Sequence, residues 1–273
     1  MGRLINRRPG RAGQVLLGAL PFILLAAAYL MASDARLAVN PNDKLLPSVQ
    51  SFVDAINRLA FQPDPRKGTY ILWDDTLASL LRLGIGLSVA TGFGLVAGVA
   101  IGLLPLARSA FAPVVAVLSM VPPLAILPIL FIVFGLGEVA KVMLIVIGVT
   151  PFMVRDLSMS VATLPREQLV KAQTLGASTW QIVTRVVLPQ TLPRLVSALR
   201  LSLGPAWLFL ISSEAIAATE GLGYRIFLVR RYLAMDVILP YVAWITLLAF
   251  MIDWALRHLS DRAFDWQPGE RGL

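Results

Sequence analysis

The chain contains no cysteine, which excludes disulfides, thiolate nucleophiles and cysteine-ligated metal sites. Its single histidine, His258, sits in a charged stretch near the C-terminal end with no partner ligands around it, so it reads as a surface residue. Charge is scarce too: 15% of residues are Asp, Glu, Lys or Arg, against about 25% in soluble domains, and a water-facing surface is hard to build from so few. A phosphate loop of the form G-x-x-x-x-G-K-S/T is missing. The glycine strings Gly135-Leu136-Gly137 and Gly221-Leu222-Gly223 carry no lysine in the right place and read as turns at helix ends, so the chain cannot hydrolyse ATP by that device. One histidine and scattered acids do not assemble a membrane-embedded active site. No ring of charge marks a channel, and no internal repeat is visible.

What the chain does have is apolar surface: 57% of its residues are hydrophobic, and its mean hydropathy is +0.75. A helix needs about 20 mostly apolar residues to cross a bilayer. Residues 12–33, 83–104 and 110–137 carry no charge and predict three spans. Three more are weaker. Residues 142–154 must borrow 136–141; 201–213 reach Thr219 only across Glu214; 237–252 reach Leu256 only across Asp253. The expectation is an all-α polytopic membrane protein of six spans. The uncharged stretch of the first is longer than a signal core, which predicts a retained helix despite Arg7, Arg8 and Arg11 before it.

The net charge of +8 fits basic residues flanking spans on the cytoplasmic side better than nucleic-acid binding. Arg3, Arg7, Arg8 and Arg11 put a tail of residues 1–11 inside; Arg257, Arg262 and Arg271 put the tail 257–273 inside as well. An external loop then occupies 34–75, rich in proline, with an amphipathic helix over 48–60 whose apolar face carries Val49, Phe52, Val53, Ile56 and Leu59. A five-helix core follows over 76–256. In it, Gly94, Gly98 and Gly102 recur every fourth residue and predict close helix approach, within the chain or to a second copy. Pro122, Pro123 and Pro128 predict a kinked third span facing the bundle or a pathway rather than lipid.

The internal hydrophilic stretch 157–193 reads as two short helices. Pro165 suits the first turn of one, Glu167 its positive end, and Gly176 its stop. Ser178 and Gln181 have capping-box spacing for the second, which is expected to end near Leu188-Pro189. A DNA-reading helix-turn-helix would carry more basic residues and would not lie between two spans; a docking element for a cytoplasmic partner fits better.

Here a resemblance becomes visible. Permeases of ATP-binding-cassette importers carry a cytoplasmic motif of the form E-A-A-x-x-x-G-x9-I-x-L-P. In this chain Val170-Lys171-Ala172, Gly176 and Val186-Val187-Leu188-Pro189 fall at that spacing, with Val170 and Lys171 departing from the Glu and the first Ala. Pro122-Pro123-Leu124-Ala125, Phe134-Gly135-Leu136-Gly137-Glu138, Leu175-Gly176-Ala177-Ser178 and Ser213-Glu214 before Gly221-Leu222-Gly223-Tyr224 resemble the nitrate, taurine and sulfonate branch of these permeases. Together the motifs cover roughly residues 74–260. The run Arg225 to Asp236, with Asn42-Asp43-Lys44-Leu45-Leu46-Pro47, is similar to permeases encoded beside urea- or guanidine-carboxylase enzymes.

The resemblance implies a type I importer permease in a bacterial inner membrane. It would be a transport subunit rather than an enzyme, paired with a second permease copy, probed from outside by a solute-binding protein and driven by ATPase subunits that hold ATP and Mg. The chain itself would carry no cofactor and bind no nucleic acid. It implies that Val170, Lys171, Ala172, Gly176, Ala177, Ser178, Val186, Leu188 and Pro189 form the ATPase-coupling element. The solute would be of nitrate, sulfonate or taurine type, or guanidinium or urea. Glu214, a carboxylate within a span, is expected either to line a path or gate with Ser212, Ser213, Pro122 and Pro123, or to be hydrogen-bonded to an adjacent helix. Arg200 in the same span is expected to snorkel to the interface, and Arg225 to lie outside in solvent. The competing class is an ATP-independent secondary transporter coupling through Glu214 or Asp253.

Overall fold

The computed structural model describes residues 10–41, 43–65, 68–264 and 266, and every regular element among them is helical. Arg3, Arg7, Arg8 and Arg271, which set the expected orientation of the tails, and Asn42 lie outside the described residues. Helix α1 (Arg11–Val39) leads to a short α2 (Val49–Ile56), capped by Ser48 and continued by a wide turn over Asn57–Phe61. Then come α3 (Ile71–Leu103), α4 (Pro105–Leu118), a tight turn over Pro123–Ile126, α5 (Leu127–Phe134) and α6 (Glu138–Ala162). Two short helices follow, α7 (Arg166–Thr174) and α8 (Thr179–Ile182), then the long α9 (Leu188–Ala217), α10 (Leu222–Arg230) and α11 (Met235–Ala263).

Between helices in lipid, tight packing replaces the hydrophobic driving force, so small residues decide which backbones meet. The glycine stripe of α3 does this within the chain. A Cβ built on Gly86, Gly94, Gly98 or Gly102 would lie 2.8, 2.7, 2.7 or 2.5 Å from the Cβ of Ile145, Met153, Leu157 or Val161 of α6. Both series ascend, so α3 and α6 run parallel and start at the same end. The 34 residues between Leu103 and Glu138 must therefore recross the membrane, and α4 with Pro123–Phe134, bent by 82°, is the segment that does so. With Ala12–Val39, Ile71–Leu103, Glu138–Ala162, Thr179–Ala217 and Met235–Ala263, all long and apolar enough to cross, this makes six spans. Helix α9 is antiparallel to α6, with Phe209 on Gly148 and Arg194 on Asp156. It meets α11 as well, through Arg200 and Asp253. Gly98→Val should force α3 off α6 at a cost of about 1–3 kcal/mol. The check is a lowered melting temperature of the detergent-solubilised chain, with Gly92→Val, in open space, left unchanged.

The core lies where α3, α6, α9 and α11 meet, around Ala90, Leu144, Ile145, Met153, Ala198 and Leu210. Helix α1 stands apart. Tyr29 donates to Pro47 O (2.7 Å) and Ser33 to Leu46 O (3.0 Å), tying its C-terminal half to the loop before α2. In that loop the Leu45 amide donates to Asp43 and Arg36 pairs with it, and the amide first and the guanidinium second hold the Asp43 carboxyl below the usual carboxylate range.

The structure corrects four expectations. The third span is not one kinked helix over 110–137 but two helices joined by non-helical backbone at residues 119–122, because Pro122 and Pro123 in succession remove two donors. The second short helix does not end at Leu188-Pro189. Thr179–Ala217 is one run, since the Leu188 amide reaches back five residues to Val183 O and this widened turn accommodates the proline ring. Gln190 and Thr191 side chains bond the carbonyls of Val186 and Val187 there. Arg200 does not snorkel; it is held at 2.8 and 3.0 Å by Asp253 of α11. Arg225 is not simply solvated; Asp75 accepts from it at 2.8 Å.

Candidate functional site

Two clusters stand at opposite ends of the bundle. The first gathers where α3, α6 and α11 begin and α9 ends. Asp75, Ser79 and Arg82 lie four and three residues apart on α3, which puts them on one face. Helix α10 begins against that face. Its first amides have no intrahelical acceptor, and each finds a side chain instead: Gly221 N–H to Asp75 (2.9 Å), Leu222 N–H to Ser79 (2.8 Å) and Gly223 N–H to Glu214 (2.8 Å). Two carboxylates at a helix start also oppose the positive end of its dipole. The glycines are required by this approach. Gly221 has φ +123°, and a Cβ on it would sit 2.6 Å from the Glu214 carboxyl carbon; one on Gly223 would sit 2.7 Å from Ile211 O.

Glu214 is fully buried. It accepts from Ser79 at 2.8 Å and from Arg82 at 2.7 Å besides Gly223. Arg82, 4% exposed, extends its guanidinium to Glu138 at the start of α6 and donates to Glu220 O at 3.0 Å; Glu138 also takes Lys141 at 2.7 Å. Asp75 accepts from Arg225 and from Tyr241 (3.1 Å), and Trp244 donates to Thr76 at 2.9 Å. Four acids (Asp75, Glu138, Glu214 and the exposed Glu220, 3.9 Å from Arg82) thus meet three bases (Arg82, Lys141, Arg225), with the excess acid at the exposed rim. The cluster fastens α3, α6, α9, α10 and α11 to one another. Of the other residues expected near Glu214, Ser213 is buried and bonds Leu210 O within its own helix, and Ser212 is half-buried. Pro122 and Pro123 belong to the α4–α5 break, and none of the hydrogen bonds of Glu214 reaches them. Sequence reasoning passed over Asp75, Ser79 and Arg82. The four-and-three spacing was the available signal, but it fell outside the uncharged stretch taken as the span.

The second cluster is an elbow at the other end. Helix α7 stops in a Schellman turn: Gly176, at φ +80°, donates to Gln173 O (3.0 Å) and Ala177 to Ala172 O (3.0 Å). The next residue starts α8 through a complete capping box, with Gln181 N–H on Ser178 Oγ and Ser178 N–H on Gln181 Oε1. Two caps back to back leave the elbow no free hinge. Ala172, Ala177 and Leu188 pack inward on a small core of Val99, Val161, Ile182 and Val187. Val170, Lys171, Gly176 and Ser178 are exposed, while Val186 and Pro189 are half-buried. Leu175 and Trp180 stand at the tip, 78% and 73% exposed. Neither was singled out from the sequence as a contact residue, although large apolar side chains beside two caps were a legible signal. Among the described residues, no group of three or more His, Asp and Glu could hold a metal ion.

The family model described as the binding-protein-dependent transport system inner membrane component matches residues 90–265. The chain is 37% identical to the taurine transport system permease protein TauC of Escherichia coli, over 71% of each chain. It is 30% identical to a putative ABC transporter permease protein of Methanocaldococcus jannaschii, over 83% of this chain and 84% of that one. With the nitrate import permease protein NrtB of Leptolyngbya laminosa it shares 28% identity over 75% of this chain and 71% of the other. Among solved structures, it superposes on a chain of the inward-facing MetNI methionine ABC transporter with a TM-score of 0.62. That match has 22% identity and covers 70% of this chain and 95% of that one.

Proposed function

This chain belongs to the family of binding-protein-dependent transport system inner membrane components, and on that premise we propose that its exposed elbow docks a cytoplasmic ATPase while its buried polar cluster latches the outer end. It is a permease subunit of an ABC importer and not an enzyme. The α7 end is taken as the cytoplasmic one because it carries the elbow that resembles the ATPase-coupling motif; Arg155, Arg166, Lys171, Arg185, Arg257 and Arg262 lie there, while Arg225, Arg230 and Arg231 lie at the other end. The elbow carries the proposal. Force from a closing ATPase pair reaches the spans only through an element that neither bends nor slips, and the elbow, with a Schellman turn closing α7 and a capping box opening the run from α8 into α9, has that form. ATP and Mg reside on the partner.

The importer works with two permease copies. The α4–α5 break, with Pro122 exposed, leaves non-helical backbone at membrane depth, which is tolerated only against protein or water. A second copy facing it encloses a path that the break lines. When ATP draws the two elbows together, α9 carries the movement to Glu214, and the latch parts so that α3 and α10 separate. Its opposed charges draw it closed again.

The solute is a small anion of the sulfonate or nitrate class, selected by an external solute-binding protein. Relatives named for taurine and nitrate support this. The alternative, guanidinium or urea, rested on the likeness of the run Arg225 to Asp236 and of residues 42–47 to permeases encoded beside urea- or guanidine-carboxylase enzymes. Glu214 is committed to Arg82 and Arg225 to Asp75, so neither is offered to a solute.

Purification in mild detergent is expected to retain an ATP-binding-cassette ATPase, and Trp180→Ala should weaken that association by about 2 kcal/mol, roughly 30-fold, as for a buried aromatic anchor. The chain's melting temperature should barely move, because Trp180 is 73% exposed in the isolated subunit. Transport-competent preparations without any ATPase would sink the proposal.

A further inference from the structure

Between the C-terminal half of α1, helix α2 with its wide turn, the first turn of α3 and residues 239–247 of α11 lies a cavity of about 730 Å3. We propose that it is a binding site for one acyl chain of a phospholipid from the outer leaflet. The cavity is apolar, and the few polar atoms on its lining side chains are already engaged elsewhere. Tyr29 donates to Pro47 O (2.7 Å), Trp73 Nε1 to Ala60 O (3.1 Å), Trp244 Nε1 to Thr76 (2.9 Å) and Tyr241 to Asp75 (3.1 Å). A water needs two to four polar partners to settle in a cavity, and here it finds none. A sulfonate or nitrate would be stripped of its hydration with nothing in return. The occupant is therefore apolar.

Its position says which apolar molecule. Three of its walls are membrane spans, so its mouth opens on hydrocarbon. Helix α2 and the wide turn close it on the side of the membrane surface, since they join the end of α1 to the start of α3. A transmembrane helix of a second copy would have to pass through that roof, whereas an acyl chain enters from the side and leaves its headgroup outside. Tyr29, Trp73 and Trp244 are residues of the kind that sit at the headgroup level. The site also accounts for α1. Among the described residues of that span only Ser33 is buried, so across the cavity its side chains lack the packed partners that dispersion requires. A lipid chain supplies them and joins α1 to the core.

The test uses the full chain with its copurifying partners in nanodiscs of phosphatidylethanolamine and phosphatidylglycerol, doped with a phosphatidylethanolamine bearing a diazirine in mid-chain. After irradiation, adducts are mapped by mass spectrometry. Residues 52–61 and Ala243 and Leu247 should be labelled about tenfold more than the exposed Phe93 and Val96, a preference of about 1.4 kcal/mol. Ala243→Trp and, independently, Leu247→Trp fill the cavity and should bring labelling there down to the level of Phe93. Val242→Trp, next along α11 but outside the lining, should leave it as in the native chain. Even labelling of all faces in the native chain, labelling unchanged by both filling variants, or cross-links from this cavity to a second copy would each overturn the assignment.

Discussion

Replacing Arg82 with Met is expected to destabilise the subunit by about 3–5 kcal/mol and to abolish uptake, the cost of leaving Glu214 charged, buried and without its counter-ion. Glu214 would keep Ser79 and the Gly223 amide, but neither carries the positive charge that a fully buried carboxylate needs. Glu138 would keep Lys141, so the loss falls on the inner half of the cluster. Glu214→Leu alone leaves Arg82 with Glu138 and should cost less, about 1–3 kcal/mol, mostly for the Gly223 amide left without an acceptor. The double variant Arg82→Met with Glu214→Leu removes both charges and should recover most of the stability lost by Arg82→Met, since a buried pair is often replaceable by apolar residues of similar volume. The coupling in this cycle should exceed about 2 kcal/mol, as for residues in direct contact. Melting temperatures of the four proteins measure it. Uptake then separates two roles for the cluster. A cluster that only holds the fold together returns transport along with stability in the double variant. A latch that must part and close again does not, because an apolar seam lacks the directional bonds that define its closed state. Recovery of coupled uptake with stability would remove the latch from the mechanism.

Helices that hold their own information were legible in the sequence. Residues 12–33 and 83–104 read as spans because no charge interrupts them, and the elbow read correctly as far as Ser178 because its caps act within six residues. Across longer distances the sequence was silent. Helix α9 looked weak as a span because Arg200 and Glu214 break its apolar run. Both are neutralised from elsewhere, by Asp253 and by Arg82, 53 and 132 residues away in the chain, and no periodicity carries that pairing. The glycine stripe announced a close contact without naming its partner, which Met153, Leu157 and Val161 supply. The run through Leu188-Pro189 was misread because a proline normally ends a helix, and the widened turn that admits it leaves no mark in residue pattern. Asp75, Ser79 and Arg82 were within reach. Their common face becomes meaningful only once the glycines at 221 and 223 are seen to bring α10 down onto it.

Gly176→Val is expected to uncouple the transporter while leaving the membrane bundle intact. A glycine at φ +80° with nothing within 4 Å of its missing side chain is there for its backbone and not for space. Valine, branched at Cβ, is the residue type least able to adopt the left-handed region, and at this position it would cost on the order of 1–3 kcal/mol. That cost falls on the Schellman turn, which opens, and Ala172 and Ala177 lose the hydrogen bond that fixes the angle between α7 and α8. The spans do not depend on this turn, so the main melting transition should stay within a few degrees of the native one. With ATPase and binding protein present in proteoliposomes, ATP hydrolysis should continue, and uptake per ATP should fall by an order of magnitude or more; about 1.4 kcal/mol of lost alignment already gives tenfold. Gly176→Asn is the control, because asparagine tolerates the left-handed region and fits the open space, so it should retain most of the coupling. If asparagine and valine fail alike, the elbow tolerates no side chain there, and the defect lies in contact with the ATPase rather than in backbone angle. If both transport normally, the elbow does not transmit the force, and coupling must reach the spans by another route.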